Sequence, residues 1–182
     1  MMCATREQFV SPLPIGASKV AVEQFAADVA RKLHFNIDDN IMRLVARLGG
    51  KIVTGTTGPE DEESGSLIAA SLNEFTIFLS PLTSSERDRF TIAHELGHLL
   101  MHLPVVKKRN SKAIMRATRY VDERSPQQQR AEWEANWFAA ALLMPADIFK
   151  AEMLFGFSHL KARFQVSGAA INARAKSLGV NL

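Results

Sequence analysis

The chain has 182 residues, 47% apolar and 23% charged, with 22 Lys+Arg against 19 Asp+Glu for a net charge of +3. That balance excludes a disordered chain and is too weakly basic to indicate nucleic acid by itself. A single cysteine, Cys3, excludes an internal disulfide and points to a reducing compartment.

No apolar run approaches the roughly 20 residues that span a bilayer. The N-terminus lacks the basic-then-apolar order of a secretory signal, so a cytoplasmic location is expected. Residues 1–17 read as an irregular leader, Pro-rich over 11–16. Ser18 is a helix cap for an apolar stripe through Val22, Phe25, Ala26, Val29 and Leu33. Asp38 or Asp39 caps a second helix, which stops at Gly49-Gly50. Three short strands follow, over 51–54, 67–72 and 75–79, the last two joined as a hairpin at Asn73-Glu74. The acidic run Glu60 to Glu63 between the first two reads as a solvated loop.

Ser84 or Ser85 caps a helix running to His102, where Pro104 is expected to bound it. A basic connector covers Val105 to Arg124, with seven basic against two acidic side chains, a net of +5. A helix over about 127–144 comes next, and Pro145 suits the first turn of another. Two short helices split near Ser167-Gly168 complete the chain. Helices, then a small sheet of about three strands, then helices make an α+β fold.

The chemistry concentrates in His94-Glu95-Leu96-Gly97-His98, an HExxH motif. Residues four apart on an α-helix are separated by about 40° in projection, so His94 and His98 face one point. Two imidazoles so placed suit Zn²⁺. Glu95 is rotated by about 100°, beside such an ion rather than on it, where it can take a proton from metal-activated water. A third ligand must come from another element. The helix bearing Glu132 and Asn136, one turn apart, supplies the candidates. One would bind the ion and the other would hydrogen-bond a ligand histidine. Glu134 lies about 200° round from Glu132 and is expected on the surface. His102 and Tyr120 are candidate donors to an oxyanion. His102 also suits the last turn of its helix, favoured by the dipole. Trp133 and Trp137 read as core, while His34 and His159 carry no assigned role.

Two stretches together, Arg89 to His102 and Glu132 to Pro145, resemble the ImmA/IrrE family of HExxH metalloproteins. The resemblance implies a gluzincin-like endopeptidase core over 18–150, with 151–182 as a small helical extension. It makes Glu132 the third ligand, which leaves Asn136 to hydrogen-bond a ligand histidine, and Zn²⁺ the cofactor, with Mn²⁺ or another divalent ion as the alternative. It also implies a regulatory role: relatives cleave a partner repressor that carries a helix-turn-helix domain.

Other readings follow from other features. A metal-stabilised module that holds a regulator or toxin–antitoxin partner without cutting it would have no need of Glu95. The tail Leu160 to Val180 resembles the start of a helix-turn-helix unit, but Ala169, Ala170, Ala173 and Ala175 offer little to read bases with. The basic connector could dock an acidic protein segment or nucleic acid, and no interleaved aromatic residues support single-strand binding.

Overall fold

The structure is a computed structural model that describes residues 9–55, 65–118 and 125–182. The acidic run Glu60 to Glu63, the connector's distal part and Tyr120 lie outside these residues. Among the described residues the fold is α+β, with no helix long and apolar enough to cross a membrane.

Helix α1 (Lys19–Lys32) begins at Ser18, whose hydroxyl accepts from the Ala21 amide, and buries Val22, Ala26 and Val29. Helix α2 (Ile41–Arg47) is capped by Asn40, not by Asp38 or Asp39. Asp39 is occupied instead by the Asn36 amide one turn earlier. The chain leaves α2 through Gly49, at φ +85°, and a Cβ on Gly50 would fall inside the Phe75 ring. That close approach seats β2 (Lys51–Thr54) against the strand carrying Phe75.

Among the described residues the sheet has five strands rather than about three: β1 (Phe9–Val10), β2, β3 (Gly65–Ser71), β4 (Glu74–Leu79) and β5 (Ile114–Thr118), in the order β1-β5-β3-β4-β2. Strands β3 and β4 form the expected antiparallel hairpin. Strand β5 pairs antiparallel with β3, and β1 runs parallel to β5. The leader is therefore not wholly irregular, and the connector is not all loop. In β5 Met115 and Ala117 are buried, while the alternate residues Ile114, Arg116 and Thr118 are half-buried. That period of two is masked in sequence by the surrounding basic residues.

Helix α3 (Ser85–Gly97), capped by Ser84, continues into a π-helical turn, His98–His102, and then α4 (Leu103–Arg109). Pro104 does not stop the helix. The Leu103 amide bonds to the His98 carbonyl, five residues back. That register slip lets a residue without an N–H sit in the first turn of α4. Helix α5 (Pro126–Leu143) packs along α1 and α3, with Phe138 fully buried 6.0 Å from the Phe25 ring. Trp133, expected in the core, is 53% exposed. Trp137 is half-buried under the Arg130 guanidinium.

Helices α6 (Ala146–Glu152), α7 (Phe157–Phe164) and α8 (Gly168–Leu178) follow. Phe149 stacks on Phe164, which ties α6 to α7. Arg174 of α8 is buried, donating to the Met144 carbonyl and pairing with Glu23 of α1 at 2.6 Å. The tail is thus clamped to both α1 and the end of α5.

Candidate metal centre

Small residues decide how closely α3 approaches α5. A Cβ on Gly97 would lie 3.1 Å from the Phe138 ring and 3.2 Å from Cα of Ala135. With no side chain at Gly97 and a methyl at Ala135, the helices meet closely one turn from His94 and Glu132. The Nε2 atoms of His94 and His98 lie 3.0 Å apart. The Glu132 carboxylate completes the triangle, with Oε2 3.1 Å from His94 and Oε1 3.1 Å from His98. Bonds of about 2.0–2.1 Å to a tetrahedral ion set ligands about 3.3 Å apart, so this spacing fits one.

The outer partners make the same point through donor and acceptor accounting. Asn136 Oδ1 lies 3.0 Å from His94 Nδ1, an acceptor facing that ring nitrogen. His98 Nδ1 lies 2.9 Å from Nδ1 of His102, whose Nε2 is 3.1 Å from Glu134 Oε2. A carboxylate only accepts, so a neutral His102 carries its proton on Nε2 and presents a lone pair to His98. Both ligand histidines then hold their protons on Nδ1. Two Nε2 lone pairs and a carboxylate converge on one point, which a cation satisfies. These three residues could hold a metal ion.

Without a cation, the same Nε2 atoms meet Glu132 as protonated donors. Burial pushes His98 down to about 4, with the neighbouring histidines adding to the effect and Glu132 opposing it. Burial opposes charge on His94 too, but hydrogen bonding to Glu132 and the Glu95 and Glu132 charges raise it. Burial also resists ionisation of Glu132, yet bonds from both histidines hold it well below the usual carboxylate range. The group is an anion facing two imidazoles, a set whose affinity for protons a divalent ion would compete with.

The triangle opens on a cleft of about 510 Å³. Glu95 lines it beside His94, Glu132 and Asn136, facing strand-end residues Ser66, Leu79 and Thr118. Glu95 itself is 3% exposed.

Residues 60–176 match the Peptidase_M78 family, the IrrE N-terminal-like domain. The chain belongs to that family. The M78 match begins ahead of the HExxH helix and runs into α8. No curated protein matches the chain. Among solved structures, a Mycobacterium tuberculosis transcriptional regulator superposes with a TM-score of 0.57 at 16% identity. The alignment covers 86% of this chain and 46% of that one, so this chain spans about half the regulator's length. At that identity the likeness speaks for the fold.

Two side chains of this M78 domain sit otherwise than their local pattern suggests. Glu134 is fully buried rather than on the surface. It accepts from the amides of Ile15 (2.9 Å) and Gly16 (2.8 Å), from Arg130 (3.0 Å) and from His102. Burial resists its charge, but these donors hold it down to about 2. His102 does not end its helix, because the chain continues into α4. It is fully buried with both ring nitrogens engaged and does not line the cleft, so it is not placed to meet an oxyanion there. The only sequence signal for this pair was an extra His at the HExxH spacing of four and a Glu two residues from Glu132.

Proposed function

We propose that this M78-family chain is a metal-dependent regulatory endopeptidase that hydrolyses a peptide bond in a transcriptional repressor of the helix-turn-helix type. The observation that carries the reading is Glu95, a carboxylate in the cleft wall beside three convergent ligand atoms but not one of them. A purely structural metal site has no use for it.

His94, His98 and Glu132 would hold the ion, with Zn²⁺ favoured by the two-imidazole, one-carboxylate set and Mn²⁺ the alternative. When bound, the ion supplies Lewis-acid polarisation of a peptide carbonyl and lowers the pKa of water. Glu95 takes the proton of the attacking water on its carboxylate and delivers it to the departing amine. Asn136 holds the His94 ring in place. The M78-family match supports the regulatory setting, and the single cysteine suits the reducing cytoplasm.

The test is incubation of the Zn²⁺-loaded chain with a helix-turn-helix regulator encoded beside its gene, followed by mass spectrometry. Wild type should cut at a defined bond, and Glu95→Gln should keep its metal and cut at no detectable rate. Equal cleavage by both would sink the mechanism. A tight, metal-dependent complex with no cleavage would replace it with a binding module.

A further inference from the structure

The leader is joined to the HExxH helix through one buried carboxylate. Gly16, at φ +72°, turns the chain so that two successive amides, of Ile15 and Gly16, point at Glu134 from 119 and 118 residues upstream. Arg130 closes the other side, bonding both Glu134 and the Ala17 carbonyl. Three of the four donors to Glu134 are therefore supplied by the leader and Arg130. The fourth is His102 Nε2.

That saturation has a directional consequence. Glu134 accepts only, so the bond to it fixes the proton of His102 on Nε2. In the neutral ring His102 Nδ1 is then an acceptor, and the 2.9 Å contact to His98 places the proton of His98 on Nδ1. The His98 Nε2 lone pair is thereby turned to His94 and Glu132. The π-helical turn over 98–102 contributes by bringing His102 over His98.

We infer that the leader is part of the metal centre: the Ile15 and Gly16 amides, Glu134 and His102 form a chain of positioning residues that sets the tautomer of His98. The inference rests on the metal reading of His94, His98 and Glu132. None of the four residues lines the cleft. Outer partners of this kind are worth about 10–100-fold in metal affinity. Coupling is reciprocal, so Zn²⁺ at the triangle must also tighten the leader.

The experiment uses the full chain with Zn²⁺ alone. Affinity is read by competition with a chromophoric chelator, histidine protonation by ¹⁵N spectra, and the leader by amide exchange at Ile15 and Gly16. In the Zn²⁺-loaded wild type, His102 should carry one proton, on Nε2, and Zn²⁺ should slow both amides several-fold. His102→Phe should lose about 10–100-fold in affinity and abolish the Zn²⁺ effect on those amides. His102→Gln, whose amide can accept from His98 and donate to Glu134, should recover most of the affinity. Wild-type affinity in His102→Phe overturns the inference, as does a folded His102→Gln as weak as His102→Phe. Should His102→Phe not fold, a proton on His102 Nδ1 in the wild type, or amide exchange indifferent to Zn²⁺, overturns it equally. A wild type that binds no Zn²⁺ removes the metal reading itself, and the inference falls with it. A wild type that binds Zn²⁺ while His102→Phe binds equally removes only the relay.

Discussion

Replacing Gly97 by alanine tests whether the α3–α5 crossing sets the ligand triangle. The new methyl would stand 3.1 Å from Cδ1 of Phe138, 3.2 Å from Cα of Ala135 and 3.3 Å from its carbonyl oxygen. Carbon contacts are comfortable from about 3.5 Å. Two of the three neighbours are backbone and cannot swing aside, so the helices must part by about 0.3 Å. His94 and His98 sit on one side of that crossing and Glu132 on the other. Metal bonds tolerate about 0.2 Å, so the loss falls on the ion before it falls on the fold. For stability, alanine gains about 1 kcal/mol in helix propensity, while overpacking costs about 1–3 kcal/mol. The net is a loss of about 0–2 kcal/mol. Zn²⁺ affinity, measured by chelator competition, should fall about 10-fold or more, comparable to losing an outer partner. Thermal unfolding in EDTA should move only modestly. Unchanged affinity in Gly97→Ala would refute the claim that this contact holds the triangle at 3.0–3.1 Å.

Three further outcomes follow from the same contacts. Glu132→Ala should reduce bound Zn²⁺ more than Asn136→Ala, whose loss should be about 10–100-fold; elemental analysis showing the reverse would reassign the third ligand. Glu134 has a folded pKa of about 2 against an ordinary 4.5, so its charge stabilises the fold fully above pH 4.5 and loses that effect as pH falls toward 2. The full effect is about 3 kcal/mol, of which about 2 kcal/mol is lost between pH 5.5 and 3, so urea titrations in EDTA at those values should show a steeper loss in wild type than in Glu134→Gln. Identical pH dependence in the two proteins would contradict it. Arg174→Ala should cost about 3–5 kcal/mol, because it leaves the Met144 carbonyl unpaired and opens a buried space between α8, α1 and α5. A cost under about 1 kcal/mol, by urea denaturation, would mean the clamp contributes little.

How far the site could be read from sequence follows the range of the interactions. His94, His98, Glu132 and Asn136 are two pairs at a spacing of four, and helical periodicity alone turns each pair to one side. Strand β5 is hidden because its period-two pattern is only five residues long and lies among basic residues. Pro104 misled because a π turn, invisible to periodicity, gave it a place inside the helix. Glu134 failed for a deeper reason. A buried carboxylate is stable only where donors surround it. Here two of those donors are backbone amides from 118 and 119 residues away, which have no residue-type signature. Local angle placed Glu134 correctly, about 200° from Glu132, but angle does not say what waits on that side. What waits is the leader, and the side chain that looked dispensable beside the ligand is the one that connects the N-terminal segment to the histidines.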